Sequence, residues 1–264
     1  MLRPGLVILL SALAAAVPAP STASVRDGLA FGAASGRVLR LDLYRSARTP
    51  DRGARAIVWV HGGGFYEGSR AEMASYATEF ARRGFVSLSV DYRLHTRAFL
   101  RRGGYRRALA DAQHDVQAAV RWVRRHASPL GVDQRRIYAG GFSAGAITAL
   151  RVGERPGDPG ASGNPGFSSG VAGSVSVAGG GDLASIGPGD APALLLHGTV
   201  DGLVSYRWAL NTRNAYRRAG VPCRLVTYRG VGHELGVLSL QRRVFPAIAR
   251  WLAGQPAVSP EAPG

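Results

Sequence analysis

The sequence predicts an α/β fold in which a mostly parallel central sheet is covered by helices on both faces. Short unbroken apolar runs, such as the one at 56–60, are typical of strands that are buried on both faces. Stretches with helical periodicity stand between these runs along the chain. This alternation is the pattern of repeated βαβ units, and a length of 264 residues suits one domain of that kind.

The individual elements can be assigned in chain order. The first strand is predicted at 37–44, where polar and apolar side chains alternate. The later strands are predicted at 56–60, 85–90, 136–140, 171–178, 193–197 and 223–228. The helices are predicted at 71–83, 107–127, 144–153, 206–219 and 238–253. A stretch dense in Pro, Gly and Ser, 154–170, is predicted to be a loop.

Two stretches match Gly-x-Ser-x-Gly, the pattern around the nucleophilic serine of many hydrolases: "GFSAG" at 141–145 and "GFSSG" at 166–170. Since the chain has 36 glycines, such a match arises easily by chance, and its context has to decide. Ser143 follows a predicted buried strand and precedes a predicted helix, as a nucleophile on a sharp turn does. Ser168 follows the predicted loop and precedes a strand. The sequence therefore favours Ser143 as the nucleophile.

A nucleophilic serine needs a base and an acid that orients the base. In this kind of sheet they follow the serine in the order acid, then histidine. His233 lies in a glycine-bearing loop after the last predicted strand, whereas His197 precedes Asp201 and so has the wrong order. Asp201 comes just after a buried run, while Asp182 and Asp190 lie near Gly/Pro turns where Asp commonly bonds the backbone. The prediction is His233 as base and Asp201 as acid.

The stretch "HGGGFYEG" at 61–68 directly follows a predicted buried strand. Its consecutive glycines let backbone N–H groups turn toward one point without obstruction by side chains. Together with the N–H of Ala144, after the nucleophile, such donors would bind the negative oxygen of a tetrahedral intermediate. His61 and Asp91 are predicted to hold loops in place rather than to react.

These motifs together resemble one known group of proteins. They are "HGGG" at 61–64, "SVDYRL" at 89–94, "ALADAQHDVQAAVRWV" at 108–123, "GFSAG" at 141–145, "HGTVDGLV" at 197–204 and "GVGHE" at 230–234. The set is similar to the α/β-hydrolase carboxylesterases and lipases with an HGGG oxyanion loop. The hormone-sensitive-lipase-like and feruloyl-esterase-like branches are the most similar, and the resemblance runs from about residue 37 to 253.

The resemblance implies an α/β-hydrolase fold and hydrolysis of carboxylic esters without a metal or an organic cofactor. It assigns a role to six residues: Ser143 as nucleophile, His233 as base, Asp201 as orienting acid, and Gly63, Gly64 and Ala144 as oxyanion donors. Many relatives in the hormone-sensitive-lipase-like branch carry Asp at the position of Phe142. The N-terminal segment is too short for that branch's large helical cap, so little or no cap is expected. Only 92–107 and 154–170 remain to form a rim around an open site for small or short-acyl esters.

Two other functions stay open on the same fold. A serine peptidase or an acyltransferase would use the same three residues, although the chain has no room for the large accessory domain of related oligopeptidases. A non-catalytic binding protein usually lacks one of the three, and here all of them are present.

The first residues predict export from the cell. Arg3 precedes an apolar run at 6–17 and a small-residue stretch, which is the layout of a secretory signal peptide cleaved after Ala23. The run is shorter than the ~20 residues that a membrane span needs. The predicted organisation is a signal peptide at 1–23, one α/β-hydrolase domain at 24–254 and a flexible tail at 255–264, in a secreted protein without a stable membrane span.

The net charge of +16 does not by itself indicate a nucleic-acid partner. All 33 basic residues are arginines, and they are scattered along the chain, whereas nucleic-acid-binding modules concentrate their charge and carry recognisable motifs. The predicted partner is a small-molecule ester, with no specific nucleic acid, and the oligomeric state is left open. Cys223 is the only cysteine, which excludes an intramolecular disulfide, and it is predicted to be an apolar filler.

Overall fold

An eight-stranded sheet forms the centre of the protein in a computed structural model, which describes residues 22–236 and 238–257. The strands are β1 (Ala23–Ala34), β2 (Arg37–Ser46), β3 (Ala54–Val60), β4 (Val86–Val90), β5 (Val132–Phe142), β6 (Ser174–Val177), β7 (Ala193–Gly198) and β8 (Cys223–Tyr228). Their order across the sheet is β1-β2-β4-β3-β5-β6-β7-β8. Neighbouring strands from β4 to β8 pair in parallel, whereas β1 with β2 and β2 with β4 pair antiparallel.

Helices connect the parallel strands, as the alternating pattern predicts, except between β6 and β7, where the segment 178–192 has no helix. They are α1 (Ala74–Arg82), α2 (Arg97–Phe99), α3 (Tyr105–Arg125), α4 (Ala127–Leu130), α5 (Ala144–Glu154), α6 (Tyr206–Arg218) and α7 (Leu238–Ala253). Short helical turns at Arg70–Met73, Leu100–Gly104 and His233–Gly236 complete the set. The five predicted helices and seven predicted strands are all present, with ends that differ from the prediction by four residues or fewer.

Two apolar layers enclose the sheet because successive side chains of each strand point to opposite faces. On β3, Val58 and Val60 belong to the layer that contains α3 and α5. Ile57 and Trp59 belong to the opposite layer, with α1 and α7, and the Trp59 ring lies 5.0 Å from that of Tyr76. These alternate contacts on both faces explain why the strand is apolar throughout.

Strand β1 was not predicted from the sequence. It lies at one edge of the sheet and is largely exposed, and its pairing with β2 shifts in register between Arg26 and Leu29 and again between Ala30 and Gly32. An exposed and irregular edge strand lacks the alternation by which a half-buried strand is recognised. Residues 1–21 of the predicted signal peptide and 258–264 of the predicted tail lie outside the described residues, so both assignments remain predictions.

The loop 154–170 packs against α3. Arg121 donates to the carbonyls of Pro159 at 2.7 Å and Gly163 at 2.9 Å, and Arg124 donates to the carbonyls of Ser168 and Gly170. Both guanidinium groups are buried, and burial lowers the pKa of Arg124 to about 10. The loop is thus fixed by buried charged donors on one helix.

The carboxyl group of Glu154, at the end of α5, is buried between two other segments. It accepts hydrogen bonds from the Ser185 hydroxyl at 3.2 Å and from the Asp182 N–H and the Tyr216 hydroxyl at 3.3 Å. None of these donors is charged, so the three hydrogen bonds offset only part of the free energy that it costs to bury an ionised carboxylate. Burial therefore raises the pKa of Glu154 from 4.5 to about 7.

This buried carboxyl makes the stability of the fold depend on pH. Between about pH 4.5 and about pH 7, Glu154 keeps a proton in the folded state that it has lost in the unfolded chain. The contribution of Glu154 to the free energy of unfolding therefore falls as the pH rises. We expect the difference in unfolding free energy between wild type and Glu154→Gln to change by about 3 kcal/mol across this range. Denaturant unfolding of both proteins at several pH values checks this, and parallel pH curves would contradict it.

Candidate active site

Ser143 lies on the sharp turn between β5 and α5. The strand ends at Phe142 and the helix begins at Ala144, so a single residue makes the turn. Its φ of +55° and ψ of −120° are strained for a non-glycine residue, at a cost of about 1–3 kcal/mol. A Cβ at Gly145 would overlap the carbonyl of Val60, so glycine is required for α5 to start this close to β3. The turn holds the serine at the carboxyl edge of the sheet.

The imidazole of His233 joins Ser143 to Asp201. Its Nε2 lies 2.9 Å from Ser143 Oγ, and its Nδ1 lies 2.8 Å from Asp201 Oδ2. The Asp201 loop follows β7 and the His233 loop follows β8, so parallel pairing of the strands brings both loops to the edge that carries Ser143. Because a carboxylate accepts, Nδ1 carries the proton and Nε2 is free to accept from the serine hydroxyl.

The carboxylate of Asp201 is held by its own loop. Its side chain is fully buried, and Oδ1 accepts hydrogen bonds from the N–H groups of Leu203 at 2.9 Å and Val204 at 2.8 Å. Burial by itself raises the pKa of Asp201, but the donors from Val204, His233 and Leu203 outweigh it, so the pKa lies below its usual value. Asp201 therefore stays ionised and can stabilise a positive charge on His233.

The glycines of the "HGGG" loop line the space beside Ser143. Gly63 and Gly64 have φ values of +91° and +57°, and a Cβ at Gly63 would overlap the carbonyl of Glu67. Both glycines line one cavity together with Ser143 and Ala144. The structure thus brings the three residues predicted as oxyanion donors to the predicted nucleophile.

Side chains behind this loop fix its backbone. The Nδ1 of His61 lies 2.9 Å from the Gly62 carbonyl, and the His61 ring stacks on Tyr92 at 4.3 Å. The Tyr92 hydroxyl donates to the same carbonyl at 2.9 Å, and Asp91 pairs with Arg70 at 2.7 Å. His61 and Asp91 therefore have the loop contacts that the sequence predicts. The roles of Tyr92 and Arg70 were not predicted from the sequence. Tyr92 lies in the motif "SVDYRL" at 89–94, which was the one signal for it, and Arg70 lies in none of the motifs.

A cavity of about 440 Å³ opens at Ser143. Its walls are mainly apolar and aromatic, and they include Phe65, Tyr66, Tyr105, Phe142, Ile147 and Trp208. Leu203 lies at the mouth with 80% of its surface exposed. Most of these wall residues were missed by sequence reasoning, because they come from segments far apart in the chain.

The rim of this cavity differs from the expectation. The segment 92–107 contributes Tyr105, as predicted, but no residue of 154–170 lines the cavity. The second expectation is wrong because the buried arginines of α3 hold 154–170 against that helix. Within the described ranges, the connections between strands contain no helical insertion large enough to cap the site.

The competing serine and carboxylates have other partners. The Ser168 hydroxyl accepts from the N–H of Gly170 at 3.2 Å, within its own loop. Asp182 accepts from Arg151 at 2.7 Å, and Asp190 accepts from the backbone of Gly187 at 2.8 Å. The bonds of Ser168 and Asp190 are local turn contacts, and the ion pair of Asp182 joins its loop to α5.

His197 lies beside the site without being the ring bonded to Ser143. Its Nε2 is 2.8 Å from the Val204 carbonyl and 3.3 Å from Asp201 Oδ2. The order of the motifs excludes His197 as the base, but its contact with the carboxylate could not be predicted from the sequence.

Metal-ligand clusters and membrane-spanning helices are both absent from the described residues. Among them, no three His, Cys, Asp or Glu side chains are grouped as metal ligands. In the same part of the chain, no helix has the length and apolar character needed to cross a membrane.

Comparison with known proteins identifies the family. The family model for phospholipase/carboxylesterase matches residues 109–244, which is more than half of the chain. The chain belongs to this family. A second family model, BD-FAE, matches residues 41–161 of this phospholipase/carboxylesterase-family protein, so the two matches together cover the nucleophile turn, the "HGGG" loop and both loops of the base and the acid.

Curated relatives align with part of the phospholipase/carboxylesterase-family chain. Para-nitrobenzyl esterase of Bacillus subtilis is 32% identical over 38% of this chain and 21% of its own length. Phenmedipham hydrolase of Pseudarthrobacter oxydans is 36% identical over 40% of this chain and 21% of its own length. Esterase LipC of Mycobacterium tuberculosis is 32% identical over 45% of this chain and 28% of its own length. The chain thus spans between a fifth and a third of the length of these relatives.

Solved structures match nearly the whole chain. Esterase 2 of Thermogutta terrifontis with bound propionate is 26% identical, with a TM-score of 0.76, over 93% of this chain and 98% of its own. The same esterase phosphorylated by paraoxon is 25% identical, with a TM-score of 0.75, over 94% of this chain and 99% of its own. The likeness confirms the predicted α/β-hydrolase fold of this phospholipase/carboxylesterase-family protein.

Proposed function

We propose that this protein is a serine esterase that hydrolyses carboxylic esters with small or short acyl groups. The observation that carries the proposal is the continuous hydrogen-bonded chain from Ser143 through His233 to Asp201, with distances of 2.9 and 2.8 Å. An activated serine at a cavity is the arrangement needed for acyl transfer. The esterases among the aligned relatives and matched structures support the same activity.

The proposed reaction has two steps. Ser143 Oγ attacks the ester carbonyl while His233 Nε2 takes its proton, and the oxyanion is bound by the N–H groups of Gly63, Gly64 and Ala144. His233 then gives the proton to the leaving alcohol as the ester C–O bond breaks, which leaves an acyl group on the serine. Water attacks the acyl carbonyl as His233 takes its proton, and this proton passes to Ser143 Oγ as the acyl C–O bond breaks and the acid is released. Asp201 keeps the ring oriented and stabilises its charge in both steps.

The preference for short acyl groups follows from the cavity. A volume of about 440 Å³ with mainly apolar walls suits a small ester, and the "HGGG" loop occupies one side of it. The Thermogutta esterase has been solved with propionate and with butyrate bound, which supports the same range of acyl length. The exposed Leu203 leaves the mouth open to the alcohol part of the substrate.

A substrate panel tests the proposal. p-Nitrophenyl acetate and butyrate are expected to have a higher kcat/KM than the decanoate and palmitate, and a peptide p-nitroanilide is expected to be inert. Paraoxon is expected to abolish activity and to add a diethylphosphoryl mass to the peptide with Ser143, as an activated serine requires. Cleavage of the peptide alone would favour a peptidase. If the protein shows no hydrolysis and no labelling, the result would favour the non-catalytic binding protein.

A further inference from the structure

His197 is a buried titratable side chain that the proposed reaction does not use. It is the fifth residue of β7, and its side chain is fully buried. One ring nitrogen, Nε2, faces the Val204 carbonyl at 2.8 Å and Asp201 Oδ2 at 3.3 Å. The other, Nδ1, is buried and has no hydrogen-bond partner among the described residues.

The neighbours of the ring determine which nitrogen carries the proton. A backbone carbonyl only accepts hydrogen bonds, so the 2.8 Å contact places the proton on Nε2. That N–H is hydrogen-bonded to the carbonyl of Val204, and Asp201 Oδ2 lies 3.3 Å from the same nitrogen. Nδ1 then has a lone pair that no donor among the described residues meets.

The single N–H of His197 closes the turn that carries the orienting acid. Within this turn Asp201 Oδ1 accepts from the N–H groups of Leu203 and Val204. The carbonyl of the same Val204 is bonded to His197, which ties this end of the turn to β7. Oδ2, the oxygen that accepts from His233, lies 3.3 Å from the same His197 nitrogen.

We infer that His197 is a positioning residue for the reaction: its Nε2–H holds the Val204 carbonyl and thereby fixes the Asp201 turn, which keeps carboxylate Oδ2 facing His233. The inference rests on the proposed function, since it concerns the orientation of the same acid. His197 does not line the cavity, so it has no contact through which to bind substrate. Its loss is therefore expected to lower kcat with little change in KM.

A matched pair of amide variants tests this inference in the full-length protein. The amide nitrogen of Gln reaches the position of Nε2, whereas that of Asn ends near the position of Nδ1 and falls short of the Val204 carbonyl. We expect His197→Asn to lower kcat for p-nitrophenyl acetate by about 10- to 10²-fold, and His197→Gln to restore most of the activity. His197→Phe, which keeps the ring shape without a donor, is expected to behave like the Asn variant.

A spectroscopic measurement separates positioning from a merely structural role. The proton between His233 Nδ1 and Asp201 Oδ2 should give a low-field ¹H resonance in wild type and in His197→Gln, and a shifted or broadened one in His197→Asn. Wild-type kcat and resonance in the Asn variant, or equal loss in the Asn and Gln variants with unchanged circular dichroism, would overturn the inference. If wild type hydrolyses no ester, the proposed function fails, and the resonance still tests the role of His197.

Discussion

Replacing Ser143 with Ala is expected to lower kcat for p-nitrophenyl butyrate by about 10⁴- to 10⁶-fold. The substitution removes the only atom that can form the acyl-enzyme in the proposed reaction, and it leaves the base, the acid and the cavity walls in place. Alanine adds no bulk to the turn, so the melting temperature should stay close to that of wild type. Steady-state kinetics and a thermal melt of both proteins check this result.

The second Gly-x-Ser-x-Gly match supplies the matched control. Ser168 has the same local pattern as Ser143, but within the part of the chain that the structure describes its hydroxyl bonds to the backbone N–H of Gly170 alone. Ser168→Ala is therefore expected to keep wild-type kcat and KM. Full activity in Ser143→Ala, or loss of activity in Ser168→Ala alone, would contradict the assignment of the nucleophile.

Replacing Asp201 with Asn is expected to lower kcat by about 10⁴-fold while the loop keeps its shape. The amide oxygen can still accept from Leu203 and Val204, which places the NH₂ group where Oδ2 faced His233. A donor at this position favours the tautomer of His233 with its proton on Nε2. That nitrogen can then no longer take the proton of Ser143, so the attack on the ester is blocked.

Asp190→Asn is the control for this change. Asp190 accepts from the backbone of Gly187 and makes no hydrogen bond to Ser143, His233 or Asp201, so wild-type kcat is expected. Circular dichroism and the melting temperature of both variants show whether the fold is kept. An Asp201→Asn variant with more than a tenth of wild-type kcat would assign the orienting role to another group.

The central strands and the helices could be predicted because their buried faces produce apolar patterns within short stretches of the sequence. Strand β3 is apolar at successive positions because it packs on both faces, and α3 repeats apolar residues every three or four positions. Strand β1 could not be predicted, since an exposed edge strand with two irregularities has neither pattern. A strand can thus be predicted when the layers packed on its faces require apolar side chains, as for β3, and not when it is largely exposed, as for β1.

The same distinction holds for the site. Ser143, Asp201 and His233 could be predicted because each stands in a short motif that ends a strand, and the order of the motifs is informative. Much of the cavity wall could not be predicted, because Ile147 and Trp208 meet only after the chain has folded. The contact of His197 with Asp201 was also missed, since it depends on how the turn between them curves.

The three side chains of the site come from loops after β5, β7 and β8, and 90 residues separate Ser143 from His233. No single hairpin or helix pair contains two of them. Pairing of distant parallel strands is slow to form during folding, because large stretches of chain must be ordered before these contacts are made. Recovery of hydrolysis after dilution from denaturant therefore reports completion of this half of the sheet, and helical signals should recover before it.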